Sequence, residues 1–464
     1  MWVGMNAVFT PASPDVDVPG PGCWAADGSV RHMTARRRRP ALSATVASAG
    51  ACALLLGSCG VMPGSTDDTV TVMTWAPQGT EATNMPGMPA MAQAYARWVN
   101  SRGGVNGHRL RVLTCNDHND TVRAAHCASR ALKEGAVAVV GSYSQYGRSY
   151  MSALERAGIP YIGGYGVADQ EFSSPLSYPV NGGLPALVAG NGRQLAAGGC
   201  SHVSLVRPDT SVGDKLPGLV NAGLAHSGTG PVTDVRAPED ARAYARPARK
   251  ALDSANTRGA TPLSTAAEDP RTDGPCVTAV LGGRTGTFFD SFRRLQKDSP
   301  QVRTASVLGS LQQSLVDRSG GQRSPLEGAY ATGWYPAADD PRWKPMKKVI
   351  DDHAFGDNRV DATDPGVQTT WIAYTVLRQV LKSLGGEEVT AKSVRRTLDT
   401  RGAVDTGGLT PKLNWTHGNM LAARDFPRIV NTKVTYQRVR DGRLTTVHRG
   451  FVDVQKTLES GPSA

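Results

Sequence analysis

The sequence predicts an α/β protein with two doubly wound parallel-sheet lobes. Short β-branched or apolar segments alternate strictly with amphipathic helical segments, which is typical of parallel sheets covered by helices on both faces. The alternation begins again after residue 180, which indicates a second sheet. With 464 residues, the chain is also long enough for two or three domains.

The first series of elements lies between residues 69 and 162. Strands are expected at 69–75, 109–115, 136–140 and 159–162, and helices at 88–101, 121–134 and 149–157. The segment 136–140 (AVAVV) is apolar throughout, as in a strand that is buried on both faces.

The second series continues into the C-terminal region. Strands are expected at 202–206, 276–281, 305–308 and 329–335, and helices at 185–197, 214–226, 237–254, 286–297, 365–384 and 391–399. Residues 255–275 are rich in Thr, Ala, Pro and Asp and predict an exposed insertion. The segments 426–440 and 443–454 flank Asp441-Gly442 and predict an antiparallel hairpin.

Residues 33–61 have the order of an export signal. Four arginines precede an uncharged stretch from residue 40 to residue 56, and small residues and Cys59 close it. The ending Leu56-Gly57-Ser58-Cys59 resembles a bacterial lipobox, in which the cysteine is lipidated. An ordinary signal peptide and an uncleaved anchor are the alternatives.

This signal sets the expected location of the protein. We expect Met33 to be the start codon, residues 1–58 to be an upstream extension plus a lipoprotein signal peptide, and residues 59–68 to be a lipid-anchored tether. The protein is then exported and anchored to the outer face of the cytoplasmic membrane through a lipidated Cys59.

Four cysteines follow the lipobox: Cys115, Cys127, Cys200 and Cys276. An even number in an exported chain indicates two disulfides. We favour Cys115–Cys127, because a strand end and the helix that follows it can approach within disulfide range. We favour Cys200–Cys276, because both begin strands that could be neighbours. Zinc binding is the alternative, but no C-x-x-C or H-x-x-x-H spacing occurs.

Charge and motifs argue against several function classes. The chain has 51 basic and 40 acidic residues. The basic residues are scattered along the sequence, whereas nucleic-acid-binding proteins usually cluster them on one surface. G-x-S-x-G, P-loop, G-x-G-x-x-G and H-E-x-x-H motifs are absent from the sequence. We therefore expect no enzyme, no nucleic-acid partner, no metal and no cofactor.

Four short motifs carry a family resemblance. They are residues 100–107 (NSRGGVNG), Asn116-Asp117, residues 139–142 (VVGS) and residues 157–160 (AGIP). In this order and spacing they resemble the first domain of branched-chain-amino-acid-type (type I) periplasmic solute-binding proteins of ABC transporters. The resemblance covers most of residues 69–455.

The resemblance implies two α/β lobes joined by a three-crossing hinge, with a ligand clamped between them. Lobe 1 is expected at residues 69–180 and 328–404, and lobe 2 at 181–327 and 405–455. Residues 456–464 are expected to be a disordered tail.

The resemblance also implies which residues hold the ligand. Ser144 and Gln145 match positions that grip a ligand carboxylate, and backbone N–H groups at a helix start suit an anion. Gly166 and Val167 match the loop that binds the ligand's amino group. The remaining candidates are Val212 in place of a family Tyr, Arg284 in place of an aromatic residue, Gln78 in the loop after the first strand, and Tyr146, Tyr165 and Trp334 as stacking rings.

Several features that would bind an ammonium group are missing. Val167 has no hydroxyl, Val212 has no ring, and Gly309-Ser310 supplies no acid. We therefore expect an anionic or neutral polar organic ligand and not an ordinary α-amino acid. Arg284 is expected either to contact this ligand or to form an ion pair between the lobes.

The function that follows from the resemblance is solute capture without chemistry. We expect a monomeric lipoprotein that binds a small molecule and delivers it to an ABC permease. The alternatives are a ligand sensor of the same fold that signals to a membrane receptor, a secreted enzyme with a diverged cleft, and a lobe pair that has lost its ligand.

Overall fold

A computed structural model describes residues 69–256, 274–296, 302–423 and 425–460. The expected start at Met33, the signal peptide, the tether and the lipidation site Cys59 lie outside these residues. So does most of the expected insertion at 255–275. None of the helices in the described ranges combines the length and apolar character needed to span a membrane.

The first sheet has five parallel strands in the order β2-β1-β3-β4-β5. They are β1 (Thr69–Trp75), β2 (Arg109–Cys115), β3 (Ala138–Val140), β4 (Tyr161–Ile162) and β5 (Ser177–Tyr178). Side chains alternate between the two faces of β1: Val70 and Val72 belong to one core cluster, and Met73 and Trp75 belong to another.

Helices cover both faces of this sheet. The first four helices are α1 (Gly87–Asn100), α2 (Thr121–Lys133), α3 (Gly147–Ala157) and the short α4 (Asp169–Ser173). Buried residues of α2 and α3 share a core with Met73 and Trp75. Those of α1 pack on the other face, with Val70 and Val72.

The second sheet has the order β12-β11-β10-β9-β8-β6-β7, with β13 paired to β11. Its parallel strands are β6 (Cys200–Pro208), β7 (Thr233–Ala237), β8 (Gly274–Ala279), β9 (Arg303–Val307) and β10 (Tyr330–Gly333). The antiparallel strands are β11 (Lys433–Arg440), β12 (Arg443–Thr446) and β13 (Val452–Asp453).

The remaining helices follow in chain order. They are α5 (Gly183–Ala197), α6 (Leu216–Leu224), α7 (Ala245–Asn256), α8 (Thr285–Gln296), α9 (Gln313–Arg318), α10 (Lys344–His353), α11 (Pro365–Leu384), α12 (Ala391–Thr400) and α13 (Gln455–Ser460). Helices α10 and α11 pack against α1 of the first sheet, whereas α5 packs against β9, β10 and β11 of the second. The chain therefore passes between the two layered units three times.

Five expectations need correction. Tyr330–Gly333 pairs with β9 and β11, so the lobe boundary predicted at 327/328 is wrong; a strand's sequence does not say which sheet it joins. The helix predicted at 237–254 begins only at Ala245: Ala237 is the last residue of the strand that pairs with β6, and residues 238–244 connect that strand to the helix.

The C-terminal corrections are similar. Strand β11 starts at Lys433 instead of residue 426, and the second hairpin segment is split into β12 and β13. Residues 456–460 belong to α13 and are not a disordered tail, because Leu458 is buried where this helix packs on α5 and α6. The turn itself is confirmed: Asp441 and Gly442 both have positive φ, +51° and +73°, as a two-residue hairpin turn requires.

Both predicted disulfides are confirmed. Cys115, at the end of β2, is bonded to Cys127 on α2, with Cα atoms 5.8 Å apart. Cys200 and Cys276 are bonded with Cα atoms 5.6 Å apart, because β6 and β8 are neighbours and pair in parallel.

Removing Cys200–Cys276 should destabilise the protein more than removing Cys115–Cys127. The two bonds join residues 76 and 12 positions apart, and loop-closure entropy predicts a difference of about 1.6 kcal/mol in the free energy of unfolding. Urea unfolding of the two paired Cys→Ala variants checks this. Equal losses, or a larger loss for the short loop, would contradict it.

Candidate functional site

A cleft lies where the carboxyl ends of the two sheets face each other. Its walls come from the loops after β1, β3 and β4 on one side, and from those after β6, β7, β8, β9 and β10 on the other, together with α5 and α6. The space between the walls, including the part open to solvent, is about 700 Å³. Open parallel sheets bind ligands at this edge.

Three aromatic rings, two from the first side of the cleft and one from the second, pack together in its lining. Tyr165 packs edge-on against both Tyr143 and Trp334, with ring centroids 5.3 and 5.0 Å away. All three side chains are buried, and the indole Nε1 of Trp334 donates a hydrogen bond to the Gly183 carbonyl at 2.9 Å. These rings belong to the lining of the cleft and give it aromatic surface that suits an apolar or aromatic ligand.

Most of the other lining side chains are aliphatic. They are Met85, Val167, Leu184, Leu187, Val212, Leu216, Val280, Leu281, Val307 and Leu308. A cleft with such walls gains free energy chiefly by removing apolar ligand surface from water.

Several polar groups of the cleft are already satisfied within the protein. The Ser310 hydroxyl accepts a hydrogen bond from the Gly282 N–H at 3.0 Å, and the Thr210 hydroxyl accepts one from Gly213 at 3.2 Å. Gln145 donates from Nε2 to the Glu239 carboxylate at 3.4 Å. Glu239 is the one charged residue among the lining residues that the structure describes, and it is only half-buried.

Negative charge dominates the surroundings of the aromatic rings. Burial raises the pKa of the Tyr143 hydroxyl, and the Glu239 carboxylate raises it further. Burial and then the Asp364 carboxylate raise the pKa of Tyr165 well above its usual range. Both hydroxyls therefore stay protonated at neutral pH.

The structure brings five of the ten predicted ligand positions to the cleft. These are Gln145, Tyr165, Val167, Val212 and Trp334. The other five, Gln78, Ser144, Tyr146, Gly166 and Arg284, do not line it, and each has another role.

Ser144 and Gln78 are held by hydrogen bonds within the protein. Ser144 is fully buried, and its hydroxyl accepts a hydrogen bond from the Tyr146 N–H at 3.3 Å. The backbone N–H and carbonyl of Gln78 bond to the Asn116 side chain. Tyr146 is half-buried beside Gln145, at the start of α3.

Gly166 serves an internal carboxylate instead of a ligand. Glu171 is buried, and its two oxygens accept hydrogen bonds from the N–H groups of Gly166, Val167 and Ala168, each at 3.0 Å. This carboxylate fixes the loop that places Tyr165 and Val167 in the cleft.

Arg284 forms an ion pair across the cleft, which was one of its two expected roles. Its Nε donates to the Glu81 carbonyl at 2.8 Å, and its guanidinium lies 2.9 Å from the Glu81 carboxylate. Glu81 lies in the loop after β1, and Arg284 follows β8, so the pair joins the two sides. Because Arg284 is paired with Glu81, it no longer supplies the positive charge that the expected anionic ligand would need.

Replacing Arg284 by alanine should therefore lower ligand affinity by less than about tenfold, since partly exposed ion pairs contribute only about 0–1 kcal/mol. Glu81→Ala should have the same effect, and the double variant should add nothing further. Affinity measurements on the three variants check this. A loss of two or more decades confined to Arg284→Ala would instead indicate direct contact with the ligand.

Sequence reasoning missed Glu239, Tyr143 and the glycines of the lobe-2 loops. Glu239 follows β7, a strand that was not predicted, and it fell within the helix predicted at 237–254, so its place at a strand's carboxyl end could not be inferred. The signal was Pro238 directly after Thr233–Ala237, because proline commonly ends a strand.

Two sheets whose parallel strands enclose an apolar cleft with their carboxyl ends are typical of a two-lobed solute-binding protein. The sequence profile of the periplasmic binding protein family matches residues 73–427, and the chain belongs to this family. Members are extracytoplasmic solute-binding proteins, generally without enzymatic activity.

Solved structures share the fold at low sequence identity. One is a solute-binding protein of an ABC transporter from R. palustris in complex with 4-hydroxybenzoate (14% identity, 84% of this chain and 98% of that chain, TM-score 0.66). Another is a fatty acid ABC transporter substrate-binding protein from Thermomonospora curvata (13%, 86% and 94%, 0.64). A third is an extracellular ligand-binding receptor from Verminephrobacter eiseniae (15%, 81% and 99%, 0.64). Among curated proteins no sequence matches.

Proposed function

We propose that this protein captures a small, largely apolar organic molecule in the cleft and delivers it to an ABC permease. The observation that carries the proposal is the cleft itself, where three buried rings and ten aliphatic side chains meet at the carboxyl ends of both sheets. Relatives of the same fold that bind 4-hydroxybenzoate or belong to a fatty acid transporter support a ligand with an apolar body; the carboxylate that 4-hydroxybenzoate and fatty acids carry is a separate feature of those ligands.

Capture requires the two sides of the cleft to close on the ligand. Arg284–Glu81 and Lys215–Asp169, with a 2.9 Å contact in each pair, join loops of the first sheet to loops of the second. A ligand between the walls adds contacts to both sides at once, which favours the closed arrangement over an open one. The permease then recognises the closed conformation. No bond in the ligand is made or broken.

Native mass spectrometry of the purified exported protein tests the capture step. A small-molecule mass that is released on mild unfolding supports the proposal and gives the ligand's formula. An empty cleft, together with no rise in melting temperature across panels of aromatic acids, fatty acids, amines and alcohols, contradicts it.

We also propose that Cys59 anchors the protein to the membrane through a lipid, as the lipobox resemblance suggests. Cys59→Ser should move the protein from the membrane fraction to the soluble exported fraction. Cys52→Ser, a matched change within the apolar stretch of the signal, should leave it membrane-bound. A Cys59→Ser protein that stays in the membrane fraction would argue for an uncleaved anchor.

A further inference from the structure

We propose that the cleft selects an apolar molecule that ends in an amine, with a hydroxyl as the weaker substitute, and rejects carboxylates. The proposal rests on the proposed function and names the ligand class that the site would take. It departs from the anionic ligand expected from the sequence.

The attractive group is the carboxylate of Glu239. It lies on the cleft wall and accepts a hydrogen bond from the Gln145 amide at 3.4 Å. In the part of the chain that the structure describes, Glu239 takes part in no ion pair. A carboxylate has about four acceptor positions, so Glu239 can receive N–H or O–H groups from a ligand in addition to the Gln145 amide. A charge-assisted hydrogen bond to a half-buried carboxylate is stronger than a neutral one.

A ligand carboxylate finds no comparable partner. Over the described residues, the lining of the cleft includes no Lys, Arg or His. Two cations lie at its edges, but Arg284 is paired with Glu81 and Lys215 with Asp169.

The loop that would grip a carboxylate is also unfavourable for one. The Ser144 hydroxyl already accepts a hydrogen bond from the Tyr146 N–H. The buried Asp117 carboxyl, whose Oδ2 has no hydrogen-bond partner among the described residues, adds negative charge near Tyr143 of the cleft. An incoming carboxylate would therefore lie beside Glu239 and near Asp117 without a cation, and burying an uncompensated charge is costly. A protonated amine, in contrast, is attracted by the same negative charges.

Three compounds with one apolar skeleton test this selection: 4-phenylbutylamine, 4-phenylbutan-1-ol and 4-phenylbutyrate. Their affinities for the full exported protein are measured by calorimetry at pH 7, after any bound ligand has been removed by unfolding and refolding. We expect the amine to bind at least about tenfold more tightly than the carboxylate, with the alcohol between them.

Glu239→Gln should lower the affinity for the amine by about tenfold and change that for the alcohol by less than about threefold. Asp240→Asn, a matched loss of one negative charge at the exposed neighbouring position, should leave the order unchanged. The melting temperature of each unliganded variant shows whether it is folded. The ranking of the three compounds is measured on the unmodified protein and so does not depend on any variant.

The outcomes separate the two proposals. If phenylbutyrate binds most tightly, or if Glu239→Gln leaves the affinity for the amine unchanged, the selection is overturned while the capture of an apolar ligand stands. If none of the three binds and native mass spectrometry finds no ligand, the proposed function itself is overturned.

Discussion

Replacing Gly282 by alanine should lower ligand affinity by about 100-fold, close to 3 kcal/mol. Gly282 lines the cleft in the loop after β8, and a Cβ atom built on it would lie 2.5 Å from the Thr83 hydroxyl oxygen. Thr83 lies across the cleft, in the loop after β1. The new methyl group would therefore hold the two walls apart and weaken every contact that depends on closure.

The backbone of Gly282 adds a second effect that can be measured separately. Its φ is +53°, and a left-handed conformation costs an L-residue about 1–2 kcal/mol. This cost is present in both open and closed forms, so it lowers the melting temperature without lowering affinity. Steric obstruction acts only on the closed form.

Two further variants separate the effects. Gly282→Ala combined with Thr83→Ala removes the clashing oxygen and should restore most of the affinity but not the melting temperature. Gly283→Ala places its methyl group in open space and should leave affinity within about threefold of the original value. Affinity is measured with 4-phenylbutylamine or with the ligand found by mass spectrometry. If Gly282→Ala binds as tightly as the unmodified protein, the cleft does not close to the contacts described above.

The parts of the fold that the sequence predicted are those set by local pattern. Helix α11 begins at Pro365 and ends at Leu384, as predicted. Its bounds follow from local signals, namely the spacing of its apolar residues and the flanking residues Asp364 and Gly385. The bond between Cys200 and Cys276 followed from two strand starts that proved to be neighbours. The strand at Thr233–Ala237 was missed because its stability comes from pairing with β6, which no local pattern reveals.

The candidate site was only half predictable for the same reason. Tyr165 and Trp334 could be placed because each follows a strand with a clear apolar pattern. Arg284 was also placed in the correct loop, but its partner Glu81 lies 203 positions away in sequence and could not be inferred. Glu239, the residue on which ligand selection depends, required the missed strand β7.

Stability should fall as the pH rises from about 4.5 to about 7, and Glu171 should account for much of the fall. This carboxyl is buried, and burial raises its pKa from 4.5 to about 7 against the opposing effect of three backbone N–H groups. The folded state therefore holds the proton more tightly than the unfolded state. Its contribution is fully present below pH 4.5 and is lost by about pH 7, with a magnitude of about 3 kcal/mol.

Two other buried carboxyls act in the same direction as Glu171. Burial raises the pKa of Asp364 to about 6 and also raises that of Asp117, so the contribution of Glu171 is isolated by comparing the Glu171→Gln variant with the unmodified protein. Salt-bridged Asp340 and Asp357 have their pKa lowered by Arg342 and Arg359. Their contributions to stability therefore change only at pH values below about 4.

The measurement is the free energy of urea unfolding at pH 4.5, 6, 7 and 8 for the unmodified protein, Glu171→Gln and Glu155→Gln. A glutamine side chain does not titrate, so Glu171→Gln should lose about 3 kcal/mol less than the unmodified protein between pH 4.5 and pH 7. Glu155 is exposed on α3, and Glu155→Gln should follow the unmodified curve. Parallel curves for all three would mean that Glu171 is already ionised at pH 4.5, its charge held by the N–H groups of Gly166, Val167 and Ala168 more strongly than burial opposes it.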